Sequence, residues 1–288
     1  MLDQRTSIHW LAIVDDGDQA AALIDATRAD GDEVIEPIPK SALDVDPEAE
    51  IWARSDNAGP RLPLGEPPPF MVRSSGRTPL QCVVLQSTDD NGQRQLASAF
   101  PFAVAGSRVP LEIRSVTPLA DGAGAIITAD YQGAELTFCD PIFYKDKSRL
   151  RIGATAQFTL AAIAFWVDPV SDENLAAWDV SADITLIQPD RPGQEDETVE
   201  PDWQRFYGTV KGVDHAELDG RPILILDVPV VDGEPDLILS VYAAPKALAD
   251  GFDPRPGDLV TGAAWVSGYL AGSWTHMPGG LLSYFSRI

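Results

Sequence analysis

Short apolar runs bounded by turn residues dominate this chain, and they predict strands far more often than helices. Residues 80–86 and 96–104 are two such runs joined by a polar segment that ends in Asn91-Gly92, a dipeptide suited to a tight hairpin. Further on, residues 205–213, 223–231 and 237–243 predict three strands. A short helix over 245–249 follows, then a long strand over 259–270 opened by Pro256-Gly257-Asp258. Near the N-terminus, the apolar residues 8–14 predict a strand. Residues 18–28 predict a helix, with Asp18 placed as its N-cap.

The same order of signals occurs twice. Val116, Ile126, Ile127 and Asp130 match Val213, Ile223, Leu224 and Asp227 at a constant offset of 97 residues. Phe138, Pro141, Gly153 and Phe165 match Tyr242, Pro245, Gly257 and Tyr269 at an offset of 104. A single insertion reconciles the two offsets. It falls where the second copy carries residues 228–235 and the first only Tyr131-Gln132-Gly133, as expected of a hairpin loop. In the first copy residues 140–145 take the place of the short helix, and Arg151-Ile152-Gly153 opens the long strand. Two copies of one unit predict related folded halves packed on each other.

Strand, strand, strand, helix, strand resembles the order of an OB-fold, a five-stranded Greek-key barrel whose helix lies between the third and fourth strands. The resemblance covers roughly residues 108–288 and rests on element order and spacing. It implies a mainly β protein, with two tandem OB-like small β-barrels and a small acidic α/β element at the N-terminus. Residues 281–285 offer a fifth strand for the second barrel. The expected organisation is an acidic element over 1–56, a Pro-rich linker over 57–79, a hairpin and first barrel over 80–170, an acidic connector over 171–202, and a second barrel over 203–288. Within the connector, the apolar residues 184–187 offer an edge strand to the first unit.

Charge narrows the function classes. The 44 acidic residues outnumber the 21 basic ones, a formal charge of −23, which opposes generic binding to nucleic-acid phosphates and favours solubility or a basic partner. Residues 1–56 alone hold 14 acidic and 4 basic side chains. Asp15, Asp16 and Asp18 are their most compact group, and such a face is either solvated or a docking surface. Lys145, Lys147, Arg149 and Arg151 form the only dense basic cluster, with pairing inside the chain and partner binding as even alternatives. The two cysteines, Cys82 and Cys139, lie in apolar runs and read as buried thiols. No signal peptide or membrane-spanning run is expected, so the default compartment is the cytoplasm.

Chemistry-bearing motifs are scarce. His9, His215 and His276 are isolated in sequence, while triads and zinc sites need clustered bases or ligands. Phosphate-binding glycine loops, a nucleophile elbow and a His-Glu-x-x-His motif do not occur. No catalytic residue, cofactor or metal is assigned. Trp274 and His276, in a Gly/Pro segment, are the one pairing of an aromatic with a titratable ring on flexible backbone. Tyr207, Tyr242, Trp265 and Tyr269 supply rings for a barrel groove, but residues 205–270 hold ten acids against five bases, the wrong balance for single strands. The expected function is a non-catalytic protein-interaction module with a basic or acid-tolerant protein partner; an acidic inhibitor or immunity-type protein is its sharper form. The alternative is an OB-type groove for a short oligosaccharide or single-stranded nucleic acid. An enzyme using His276 is a third reading.

Overall fold

The computed structural model describes residues 9–34, 70–73, 78–88, 91–119, 124–170, 186–189 and 203–273. The apolar stretch near the N-terminus is not a strand: residues 9–11 form a helical turn. Trp10, Ile13 and Val14 are all buried at the i, i+3, i+4 spacing of one helical face. A short continuous apolar run carries no period of its own, so packing decided its conformation. Helix α1 (Gly17–Asp30) follows, capped by Asp16 rather than Asp18. The Asp16 carboxylate accepts the N–H of Gln19 at 2.9 Å. The face formed by Ala20, Leu23, Ile24 and Thr27 is buried.

A four-stranded antiparallel sheet comes next, in the order β1 (Asp32–Val34), β2 (Phe70–Arg73), β3 (Leu80–Thr88), β4 (Arg94–Ala103). The predicted hairpin is β3–β4, and it belongs with the N-terminal element. β2 comes from the Pro-rich segment, beyond its three consecutive prolines, where strand pairing is again open. Thr27 of α1 hydrogen-bonds Cys82 of β3, and Trp10 Nε1 donates to Ala99 O of β4 at 3.2 Å, so the helical segment is pinned to this sheet at both ends.

The larger sheet contains a closed five-stranded barrel. Its strands are β5 (Ser107–Pro118), β6 (Ala125–Tyr131), β7 (Ala134–Asp140), β8 (Thr155–Pro169) and, from the far end of the chain, β14 (Leu259–Leu270). β5, β6 and β7 form an antiparallel meander, and β8 pairs antiparallel with β5. β14 closes the circuit, parallel to β7 at Ser267 and Cys139 and antiparallel to β8. A short cap helix, Phe143–Asp146, lies between the third and fourth strands, as in an OB-like barrel. Strict alternation in β6 sends Ala125, Ile127, Ala129 and Tyr131 into the barrel core.

The protein is thus mainly β, with a closed barrel and additional strands, as its sequence predicts. The copies do not close separately, however. In the second copy the strand predicted over 205–213 breaks at residues 210–211 into β10 (Trp203–Thr209) and β11 (Gly212–Leu218). These are followed by β12 (Arg221–Val231) and β13 (Leu237–Ala243). β10 pairs with β14, β11 with β12, β12 with β13, and β13 runs parallel to β8. Each long strand therefore serves the other copy. Ala162 and Val266 face each other across the β8–β14 ladder and are themselves 104 residues apart, the offset of the repeat. The residues proposed as a further fifth strand, 281–285, lie outside the described residues. The connector patch does give an edge strand, β9 (Leu186–Pro189), but it pairs with β10 of the second copy, where that strand's outer edge is free to receive it.

Sharing β8 and β14 buries both their faces. Phe158, Leu160, Ala162 and Ala164 of β8 join the barrel core, while Ala161 and Ile163 face a second core. That second core lies between the barrel strands, the four-stranded sheet and α1. It contains Trp10, Ile24, Cys82, Phe102, Tyr242, Trp265 and Tyr269. On the barrel-core side of β14, close approach demands a small residue. A Cβ added at Gly268 would lie 2.5 Å from Leu160 Cδ2 and 2.9 Å from Phe138 Cδ2.

Candidate functional site

The rings proposed for a groove are structural. Tyr207, Tyr242, Trp265 and Tyr269 are all buried. Trp265 and Tyr269 share a face of β14 with Ser267, and that face meets the N-terminal layer. Tyr269 packs 5.3 Å from Phe102, ring centre to ring centre. The hydroxyls of Tyr242 and Tyr269 donate to Ala105 O and Val104 O, each at 2.8 Å, so two neighbouring carbonyls between β4 and β5 are held by the outer face of the second copy. Burial pushes the phenol of Tyr269 up to about 12 and that of Tyr242 further. His9 stacks on Trp265. His215 stands exposed on β11, its backbone N–H donating to Asp214 Oδ1 at 2.7 Å. Trp274 and His276 lie outside the described residues.

Among the acidic residues, Asp16 is committed to its cap. Asp15 accepts from Gln19 Nε2 at 3.4 Å and lies 4.0 Å from Lys246 Nζ; Asp18 is exposed on the first turn of α1. Lys246 was not singled out by sequence, yet its ammonium donates to Val14 O and fastens the N-terminal turn to the second copy. Burial there lowers its pKa, opposed by Asp15 and Asp16.

The basic cluster turns inward for the most part. Lys145 donates to Ser273 O, Arg149 to Asp146 Oδ1 at 3.0 Å and Ser273 Oγ at 3.3 Å, and Arg151 to Ser148 O and Leu150 O at 2.8 and 2.9 Å. Lys147 is exposed. Three of the four cations therefore organise the cap and the point where the chain leaves β14. Around them the structure places two residues that the sequence did not mark, Asp140 at the end of β7 and Asp146 at the end of the cap helix. Both are buried. Burial holds the Asp140 carboxyl well above the usual carboxylate range, the charge of Asp146 adds to it, and the N–H of Ile142 opposes it. Burial likewise raises Asp146, against the Ser273 hydroxyl, Arg149 and Lys145. In a chain so rich in acids nothing in the sequence separates these two from the rest; only their burial does.

No described helix is long and apolar enough to cross a membrane, and the described residues hold no group of three or more potential metal ligands. No protein-family model, curated protein or solved structure matches this chain.

Proposed function

We propose that this protein is a non-catalytic interaction module that binds a basic protein partner through its acidic face. The observation that carries the reading is the exposure of the carboxylates on α1 and around the β11–β12 turn. Asp15 and Asp25 keep 74% of their side-chain surface and Asp219 keeps 69%. Asp18, Asp30, Asp214 and Glu217 are exposed beside them. Among the described residues the ion pairs on this surface are Arg28 at 3.5 Å from Asp25, Arg221 at 3.4 Å from Asp219, and Lys246 at 4.0 Å from Asp15. Exposed single-sign charge of this kind speeds encounter with an oppositely charged surface and repels phosphate backbones. An acidic inhibitor or immunity-type protein that masks a basic surface is the sharper form of the same reading. The alternative, an oligosaccharide or single strand held against the barrel, draws on the barrel alone, since the rings named for it are buried.

Charge reversal tests the reading. Asp18, Asp25 and Asp30 changed together to Lys spare the Asp16 cap, so the helix is kept. Partner capture from the native host should fall steeply and the captured complex should lose its salt sensitivity. Capture that is unchanged in composition and salt dependence would remove the acidic face from consideration.

A further inference from the structure

The β6–β7 and β11–β12 hairpins each turn through two residues at positive φ: Gln132 and Gly133 at 52° and 96°, Asp219 and Gly220 at 51° and 72°. Asp-Gly is the usual choice for such a turn, because a short side chain with its own oxygen tolerates the left-handed region. Gln is not. A departure from a local rule marks a place where another contact decides, and here the contact is visible. The longer Gln132 side chain reaches the loop between β12 and β13, 102 residues away, and grips both main-chain groups of Glu234. Its Nε2 donates to the carbonyl at 3.1 Å and its Oε1 accepts the N–H at 3.0 Å. The amide thus stands in for a neighbouring strand, which pairs with one residue through one donor and one acceptor.

The surroundings are fitted to this contact. Tyr131 sends its hydroxyl to Pro235 O at 2.6 Å. Gly233 leaves room for the amide: a Cβ there would lie 2.7 Å from Gln132 Oε1 and 2.9 Å from Pro235 O. Each loop is also braced within itself, Asp130 accepting the N–H of Gly133 at 3.1 Å and Asp236 that of Gly233 at 3.2 Å. The two loops are equivalents in the repeat, and the one that receives Gln132 is the one enlarged by the insertion.

We propose that Gln132 is the clasp of a strap: residues 232–236 stay closed against the turn of the first copy while its amide holds Glu234, and strap and turn part as a unit when it lets go. Val231 and Leu237 lie at the two roots of the strap and Tyr131 beside it, and all three are buried in the core common to both copies. The closed clasp therefore ties the copies together at a second place, apart from the β8–β14 ladder. Of the three hydrogen bonds described between the loops, two come from this one side chain. Those two face solvent, where water competes for both groups, so the clasp belongs to the part of the fold that opens first. Gln132 acts on the strap and on no reacting group; it is a positioning residue.

The test is amide exchange of the full chain, followed residue by residue with NMR in the native protein, Gln132→Asn and Tyr131→Phe. Asn suits positive φ better than Gln, so the turn is kept, but it is one methylene shorter and loses its hold on Glu234. The Glu234 amide is expected to exchange about five- to tenfold faster in Gln132→Asn. Gly133 and Gly233, whose acceptors lie in their own loops, should stay within about twofold of native. Tyr131→Phe removes no partner of Glu234, yet should also speed its exchange at least about twofold, because strap and turn part together. A native rate for Glu234 in Gln132→Asn overturns the proposal. So does an unchanged rate in Tyr131→Phe, which would reduce the contact to an isolated hydrogen bond. Equal acceleration at Gly133, Gly233 and Glu234 would mean a melted turn in place of an opened clasp and would overturn it as well. In the native chain the Glu234 amide should already be protected at least about fivefold relative to an open chain, and its absence rejects the clasp without recourse to any variant.

Discussion

The imidazole of His9 lies flat on the indole of Trp265, ring centroids 4.1 Å apart and planes 10° from parallel. One ring belongs to the N-terminal helical turn and the other to β14, which closes the barrel, so the contact joins the two layers across the second core. His9→Ala should destabilise the protein by about 1 kcal/mol, the usual worth of an aromatic pair beyond its buried area. Denaturant unfolding measures this. A cost within about 0.3 kcal/mol would show that the stack adds nothing to the burial of Trp265.

Tyr242→Phe and Tyr269→Phe each remove a hydroxyl that holds a carbonyl between β4 and β5. Each change should cost about 1 kcal/mol, and the double variant should depart from additivity because the two carbonyls are adjacent. The phenol of Tyr269 titrates at about 12 in the folded chain, above its ordinary value of 10.0. Its contribution is therefore constant below about pH 10 and is lost as pH rises through the folded value. Tyrosinate absorbance checks this: a fraction that titrates near pH 12 should be lost in the Tyr269→Phe variant.

Asp16→Ala removes the acceptor for the Gln19 N–H and should lower stability by about 1 kcal/mol. Asp18→Ala, on an exposed first-turn position, should change it by no more than about 0.5 kcal/mol. Thermal melts of the two variants decide between Asp16 and Asp18 as the cap. Equal shifts would refute the assignment.

Gly153 and Gly257 sit in matching turns. The N–H of Gly153 donates to Ile113 O at 2.7 Å and that of Gly257 to Val210 O at 2.8 Å, and both residues have positive φ, 76° and 99°. Ala at either position meets no neighbouring atom but is strained in the backbone, so each should cost about 1–2 kcal/mol by the same mechanism. Gly268→Ala is a different case. There the backbone is free and the space is filled, and overpacking against Leu160 and Phe138 should cost about 1–3 kcal/mol. Comparing the three variants in urea separates strain from crowding.

Much of the strand content was legible because a strand is a local pattern. β13 and β14 begin and end where their apolar runs do, and the turn glycines at 153 and 257 marked the start of both long strands. The buried site was not legible in the same way. Asp140 and Asp146 have no distinguishing neighbours in sequence, and Lys246 reaches Val14 across 232 residues. Tyr242 and Trp265 were visible as rings, but whether they face a groove or a core depends on what covers them.

By itself, the sequence determined the repeat, the element order and the acidic surface. These depend on periodicity, turn residues and composition, all of which act over a few residues or over the chain as a whole. Only the tertiary structure decided that β8 and β14 would be shared between the copies. It also decided that the N-terminal segment would cover the aromatic face and that two acids would end up under one cap. A strand edge offers the same hydrogen bonds to any partner of suitable length, so its choice of neighbour is settled by which arrangement buries the most apolar surface across the whole fold. Burial then sets these two aspartates apart from the rest, because removal from water, which no local pattern encodes, is what penalises their charge.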